Sequence, residues 1–239
     1  GFTVFKGMLA NLASSAVTAA IDAVKNLGSA IVDLGKQAVS SAANYEQIIG
    51  GVETLFGDSA STVEQYANNA YKTAGLSANQ YMETVTGFSA SLLQSLGGDT
   101  QKAADIGDMA VSDMADNANK FGTSMDSIQN AYQGFAKQNY TMLDNLKLGY
   151  GGTKEEMQRL LVDAEKISGI HYDISSLSDV YNAIHVVQQE MGVTGTTAKE
   201  AAKTISGSAN ATKSAWQNVL TAIGTGADLT PLINNLVDS

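Results

Sequence analysis

The sequence contains no cysteine and only one proline in 239 residues. Without cysteine the chain has no disulfide framework, no thiol nucleophile and no cysteine-ligated zinc site. A single proline beside abundant Ala, Ser, Met and Leu favours helices and argues against a β-fold with many turns. We therefore expect an all-α fold.

Charged residues are also scarce. They make up 16% of the chain against the usual quarter, so Ser, Thr, Asn and Gln must cover much of the surface, or that surface is buried against other chains. The charge balance is acidic, with a formal net charge of −10 and a pI near 4.5. Because neutralising phosphates requires clustered Lys and Arg, we expect no sequence-specific nucleic-acid binding. No apolar run reaches the roughly eighteen residues that a conventional membrane-spanning helix needs.

Residues 1–44 are predicted to form one long amphipathic helix, on the order of 60 Å in length. Its apolar positions recur with a mean spacing of about 3.7 residues, close to the period of a straight helix. Such a stripe must be buried, and we interpret it as a candidate self-association site that bundles with other copies or packs on a neighbouring helix. The stripe consists of Phe5, Leu9, Leu12, Ala16, Ala20, Val24, Leu27, Ile31 and Leu34, and is continued by Ala38.

Residues 45–223 are predicted to form a compact all-helical domain of short helices with short connections. The predicted helices lie near residues 45–56, 61–73, 78–96, 100–120, 124–138, 141–148, 154–167, 177–191, 198–205 and 209–223. Four of them begin with a capping-box pattern, and glycines suited to a left-handed C-cap follow several others. The boxes pair Ser61 with Glu64, Ser77 with Gln80, Thr153 with Glu156 and Thr197 with Glu200; the glycines are Gly57, Gly75, Gly97, Gly122, Gly169, Gly192 and Gly207.

Residues 224–239 are predicted to be a linker and the start of a further helix. Residues 224–228 are rich in Gly, Ala and Thr, and Thr230 followed by Pro231 matches a helix N-cap and first helical position. Since the chain opens without methionine and stops where this helix starts, we expect it to be a piece of a longer protein.

Few residues suggest chemistry. His171, Asp173 and Asp179 could suggest a metal site, but no second histidine lies at helical spacing, so we interpret both His171 and His185 as structural. The segment Gly149–Thr153 precedes a helix and could hold an anion, yet it lacks the lysine of a P-loop, and a turn followed by a capping box explains it better.

The remaining candidates are also better explained by structure than by chemistry. Glu155 and Glu156 are adjacent and project in different directions, so they cannot act as a paired acid and base. Trp216, with Leu220 and Ile223 at helical spacing, is predicted to be a core anchor. We expect no enzyme activity, no metal and no cofactor.

Two stretches resemble a known family. NYTMLDNLKLGYGGTKEEMQRLLVDAEKISG, residues 139–169, resembles a segment of the tail tape measure proteins of long-tailed bacteriophages and prophages. ATKSAWQNVLTAIGTGADLTPLINNLVDS, residues 211–239, is similar to the Trp-Gln-Asn stretch that follows that segment in many members. The Ala- and Gly-rich residues 75–119 and the opening helix are similar in style. The most specific part of the likeness is residues 146–161.

This resemblance implies a structural component of the virion. Family members occupy the lumen of the tail tube, set tail length and leave the tube at genome ejection. The implied partners are other copies of the chain, tail tube and tail tip proteins, and tail assembly chaperones, with contact to the host membrane at ejection. The implied location is the phage tail, after assembly in the host cytoplasm.

Two other classes remain open at this stage. A membrane-active helical protein, such as a pore former, is favoured by the amphipathic first helix, whose longest uncharged stretch runs from Gly7 to Ile21. That stretch is interrupted by Asn and Ser, and the polar face carries few lysines, unlike a helix that lies on a lipid surface. A wall-cleaving hydrolase would need converging carboxylates or a metal, and the sequence offers no such set.

Overall fold

The computed structural model describes residues 29–201 and 205–238, and within these ranges the chain is helical with no β-strand. The all-α fold class is therefore confirmed. The helices are α1 (Ser29–Phe56), α2 (Ala60–Thr73), α3 (Ala78–Ser95), α4 (Thr100–Phe121), α5 (Met125–Phe135), α6 (Lys154–Ser168), α7 (Leu177–Glu190), α8 (Thr196–Ala201), α9 (Ile205–Thr225) and α10 (Thr230–Asp238), with 3₁₀ turns at Gly57–Ser59 and Leu143–Leu146.

Helix starts follow local capping where a short polar side chain precedes the helix. Ser77 and Gln80 form the complete capping box, in which each side chain bonds the backbone amide of the other residue. Thr153 accepts from the Glu156 amide as predicted, although the Glu156 carboxylate turns to other donors. These bonds satisfy amides that have no partner inside the helix.

Two predicted capping boxes are wrong. Helix α2 already begins at Ala60, so Ser61 lies inside it, and the preceding Ser59 makes no capping bond with its side chain. Thr197 lies inside α8, where its own amide donates to the carboxylate of Asp116 from a distant helix. At α8 the distant Asp116 thus supplies the cap that the local pattern was expected to supply, whereas α2 simply follows the 3₁₀ turn Gly57–Ser59.

Several predicted boundaries also need correction. No break separates residues 44 and 45, because α1 continues through both, and neither Asn44 nor Tyr45 is a helix breaker. The segment predicted as a helix over residues 141–148 is only the 3₁₀ turn Leu143–Leu146. It is limited by the left-handed Lys147 and by the Asn139 side chain, which accepts the Thr141 amide and hydroxyl.

Two glycines also differ from expectation. Gly207 and Gly224 both lie inside α9, so the predicted C-cap at Gly207 is wrong and the linker is shorter than predicted. The further helix at Thr230 is present as α10. Of the predicted association stripe, Phe5, Leu9, Leu12, Ala16, Ala20, Val24 and Leu27 lie outside the described residues. Ile31 and Leu34 fall within α1, but their side chains also lie outside the described part.

Helix α4 lies at the centre of the fold. It contacts α1, α2, α3, α5, α7 and α8, and its residues 110–117 are buried except for the half-buried Ser112. At one crossing, a Cβ on Gly107 would come within 2.8 Å of Val85 Cγ2 in α3, so only glycine allows this close approach. The surrounding core includes the ring cluster of Phe88, Tyr132 and Tyr181.

Helix α1 enters this core instead of standing apart from it. Ala38, Ala42, Val52 and Phe56 are buried, and the first two lie against α9. A Cβ on Gly224 of α9 would overlap the Ala38 carbonyl and the Ala42 methyl group. Small residues on both helices therefore set the distance between α1 and α9.

We expect Gly224→Ala to destabilise the fold by about 1–3 kcal/mol, because the added methyl group meets backbone that must shift. Gly51→Ala is the matched control, since Gly51 lies inside α1 with open space where the Cβ would go. It should stabilise by about 0.5–1 kcal/mol through helix propensity alone. Urea unfolding of both variants checks this. Equal effects of the two substitutions would contradict the packing described between α1 and α9.

Candidate functional site

The residues predicted as metal-site candidates do not converge. The His171 side chain is 81% exposed and its Nδ1 lies 2.9 Å from Glu165 Oε2. Asp179 instead accepts the Asp173 amide at 2.9 Å, which orders the turn before α7. Within residues 29–201 and 205–238 no group of three or more His, Asp or Glu side chains is placed to hold a metal ion.

The Gly149–Thr153 turn is closed by the chain's own side chains. The Gly151 amide donates to Glu156 Oε2 at 2.9 Å, so a carboxylate occupies a position where an anion could have bound. Arg159 pairs with Glu156 at 2.6 Å and its guanidinium lies 4.3 Å from the centre of the Tyr150 ring. The geometry agrees with a structural turn, as predicted.

Trp216 lies at a second, smaller hydrophobic cluster. It is half-buried and packs beside Tyr71, Val219 and Leu236, so α10 folds back onto α2 and α9. Leu220 is buried as predicted, whereas Ile223 is 48% exposed, and the predicted apolar stripe therefore ends before it.

The most concentrated group of buried polar side chains lies on α4, and sequence reasoning missed it. Asp113, Asp116 and Asn117 are each no more than 2% exposed. Their spacing places them on neighbouring positions of a helix surface. We call these three residues, with His185 and Gln188 of α7, the α4 polar cluster.

Asp113 pairs with His185 across the contact between α4 and α7. The His185 Nδ1 lies 3.0 and 2.9 Å from the two Asp113 carboxylate oxygens. The bond to Asp113 raises the pKa of His185 above its usual value, and the nearby charge of Asp116 acts in the same direction. Burial raises the pKa of the Asp113 carboxyl, and its bond to His185 only partly opposes this shift.

Asp116 holds the start of α8. Its carboxylate accepts the amides of Gly195 and Thr197, the latter at 2.8 Å, while its own carbonyl accepts the Thr196 hydroxyl at 3.2 Å. A carboxylate at a helix N-terminus is favoured both by the free amides and by the helix dipole. One residue of α4 therefore caps a short helix that is far away in sequence.

Asn117 joins three further elements. Its Nδ2 donates to the Leu146 carbonyl at 2.9 Å and to Gln188 Oε1 at 3.0 Å. Gln188 Nε2 lies 3.4 Å from the Tyr132 hydroxyl, and the Tyr181 hydroxyl donates to the Tyr132 carbonyl at 2.9 Å. This network ties the Leu143–Leu146 turn, α5 and α7 to α4.

The α4 polar cluster binds other parts of the chain and lines neither of two surface clefts found in the described part of the chain. One cleft lies between α3, α5 and the start of α7, and includes Ser91, Gln138 and Ile174. The other lies between α4 and α8, and includes Ala118, Thr197 and Glu200. Neither cleft is lined by Asp113, Asp116 or His185, so the cluster's chemistry is that of positioning helices.

A weak signal for the cluster does exist in the sequence. Asp113, Asp116 and Asn117 recur at helical spacing, as do His185 and Gln188, so each set lies on one helix face. Because the polar face of an amphipathic helix normally points into water, the sequence alone would place both of these faces at the surface. Only the crossing of α4 and α7 shows that the two faces meet.

The sequence matches no protein-family model, and comparison with curated proteins and with solved structures finds no match. Among the described residues, no helix is both long and apolar enough to cross a membrane.

We expect Asn117→Ala to cost about 1–3 kcal/mol of folding free energy, because the Leu146 carbonyl and Gln188 Oε1 would lose their buried donor. Asn119→Ala is the control on the same helix, since Asn119 is exposed, and it should change stability by less than about 0.5 kcal/mol. Chemical denaturation with an unchanged m-value measures the difference. Similar values for both variants would contradict the role assigned to the network.

We also expect folding stability to fall as the pH rises from 6 to 8. The folded pKa of His185 is raised, so its stabilisation is complete below the usual value near 6.5 and is lost as the pH passes the folded value. The raised pKa of Asp113 gives the same sign, because the folded state again holds the proton more tightly. His185→Gln should reduce this decline and should cost about 1–3 kcal/mol at pH 6.

His171→Gln is the control for this pH dependence. His171 also has a raised pKa through Glu165, but it lies in water, where salt screens the pair. Unfolding is therefore measured at 0.5 M salt. Under these conditions the fall in stability from pH 6 to pH 8 should persist in His171→Gln and should be smaller in His185→Gln. If the fall in stability is instead smaller in His171→Gln than in His185→Gln, the assignment of the pH dependence to His185 is wrong.

Proposed function

We propose that this chain is part of a tail tape measure protein of a long-tailed bacteriophage or prophage, and that it acts through shape and contacts without catalysis. The observation that carries the proposal is the resemblance of residues 139–169, strongest over residues 146–161, together with that of residues 211–239. In this role the chain occupies the lumen of the tail tube, contributes to tail length and leaves the tube at genome ejection.

The residues of the strongest resemblance form a turn followed by the first half of α6, which is consistent with a shared local fold. Leu146 and Leu160 are fully buried, and between them the chain forms the turn closed by Glu156 and Arg159. Such a turn needs specific residue types at fixed positions. A Cβ on Gly152, for example, would overlap the Thr141 carbonyl. Likeness in this segment is therefore more informative than likeness in Ala- and Ser-rich helices.

The helical architecture supports the proposal on physical grounds. An α-helix rises about 1.5 Å per residue, so a helical chain converts sequence length into distance. A flexible coil is a poorer ruler, since its span grows only with the square root of its length. In this proposal residues 1–44 supply length, and the compact helices that follow act as a docking module or plug.

The partners proposed for this role are other copies of the chain, tail tube and tail tip proteins, and tail assembly chaperones. The predicted stripe from Phe5 to Leu34 is the surface proposed for self-association. The acidic net charge of −10 agrees with the absence of nucleic-acid contacts from this role. In this role, contact with the host membrane takes place when the genome is ejected.

Tail length provides the test. Inserting 44 helix-forming residues, in heptads that continue the apolar stripe, before Ser29 should lengthen tails by about 66 Å, at 1.5 Å per residue. An insertion of equal length made of Gly and Ser between Gly97 and Gly98 is the control. It lies at an exposed turn and should leave tail length unchanged. Electron microscopy of purified tails measures both.

Two results would contradict the proposal. One is mass spectrometry of purified virions that finds no peptides of this chain. The other is a tail length that responds equally to both insertions. Dye release from liposomes by the purified chain, together with its absence from virions, would support the alternative of a membrane-active helical protein.

A further inference from the structure

Two buried carboxylates lie about one turn apart on α4, and they hold different helices. Asp113 is bonded through both oxygens to His185 of α7. Asp116 accepts two amides from the first turn of α8. Both carboxylates are at most 2% exposed, so each one influences the other through protein and not through water.

The charge of the Asp113–His185 pair depends on a single proton. While the two side chains hold one proton between them, the pair is neutral overall, wherever that proton resides. When the proton is lost, the pair carries a charge of −1 beside the Asp116 carboxylate. The charge of Asp116 contributes to raising the pKa of both Asp113 and His185, so the three groups are electrostatically coupled.

Within residues 29–201 and 205–238, few other ionisable groups face this site from the helices around it. Helix α5 contributes Tyr132, a phenol whose pKa is raised by burial and, to a lesser extent, by the nearby carboxylates, so that it stays neutral. Helix α8 contributes Lys199, whose Nζ lies 3.9 Å from the position a Cβ would take on Gly195, and Glu200, which lines the adjoining cleft. Both are exposed, so water screens their charges, and His185 is the partly buried group whose charge changes near neutral pH.

We propose that His185, Asp113 and Asp116 form a proton-sensitive latch that fixes α8 to α4. Loss of the proton held by His185 and Asp113 leaves two buried negative charges close together. Separating the first turn of α8 from α4 returns the Asp116 carboxylate to water and relieves this repulsion. Raising the pH therefore loosens α8, whereas mild acid tightens it.

The contacts of α8 explain why the response is local. This helix has only six residues, and Asp116 alone receives the Thr197 amide and the Thr196 hydroxyl of the helix and the amide of Gly195 just before it. The long helix α3, by contrast, starts from a complete capping box of its own residues. Opening of α8 would also widen the cleft that contains Ala118 and Thr197.

Amide hydrogen exchange on the whole 239-residue chain tests the latch. The quantity to compare is the protection factor, the intrinsic exchange rate divided by the observed rate, because this removes the pH dependence of exchange itself. Protection of the Gly195 and Thr197 amides should fall about tenfold or more between pH 6 and pH 9, the scale of one charge-assisted hydrogen bond. Protection within α3 should change less.

Single substitutions distinguish the contributions of Asp113, His185 and Asp116 to the protection of these amides. Asp113→Asn removes the second charge, so protection of the α8 amides should stay high at every pH. His185→Gln should make it low and independent of pH, and Asp116→Asn should make it low because an amide side chain offers only one acceptor oxygen. Asp105→Asn is the control, since Asp105 lies on the exposed side of the same helix, and it should behave like the unmodified chain.

Circular dichroism and the thermal midpoint establish that each variant is folded before exchange is measured. Three outcomes would overturn the latch. Protection of the α8 amides could be equal at pH 6 and pH 9. It could fall in parallel with protection in α3, which would indicate global unfolding. It could also keep its full pH dependence in His185→Gln.

Discussion

The enclosure of α4 is the constraint on which the rest of the structure depends. Residues 110–117 of α4 lie among other helices and have little surface left for water, and Asp113, Asp116 and Asn117 belong to this buried stretch. Burying such groups without partners would cost several kcal/mol (~2–7 for a neutral polar group), so each side chain must meet a complementary group, although the Asn117 Oδ1 is left without a hydrogen-bond partner. The positions of α7, α8 and the Leu143–Leu146 turn supply those groups. Hydrogen bonds to the buried polar groups of α4 therefore fix the orientation of these elements. Burial of apolar side chains alone would define that orientation less precisely.

A second constraint is the close approach of neighbouring helices at small residues. Ala38 and Ala42 of α1 lie against Gly224 of α9, and Gly107 of α4 lies against Val85 of α3. Close approach brings many backbone atoms into contact, which compensates for a low content of aromatic residues. The fold thus combines a polar junction around α4 with tight contacts between backbones elsewhere.

These two constraints explain what the sequence could and could not predict. Signals that act within a few residues, such as Ser77 with Gln80 or a left-handed Gly122, are visible in the sequence and were predicted correctly. The partner of Asp113 is 72 positions away, and that of Gly224 lies at the opposite end of the described chain. No local pattern encodes such pairs. The sequence predicts Gly224 as part of a linker, because its actual role, close packing against α1, depends on a helix that local patterns cannot place.

The continuity of α1 has a consequence for the proposed role of the chain. A rod joined to a compact domain by a flexible linker would turn freely, and the distance it measures would vary. Helix α1 instead runs without a break from Ser29 into the core, where Val52 and Phe56 are fully buried. Its contact with α9 adds a second point of attachment through Ala38 and Ala42. A helix held at two separated points has a fixed direction relative to the domain. A length-determining element in the proposed tape measure role requires this property, and the buried contacts of α1 at Ala38, Ala42, Val52 and Phe56 provide it.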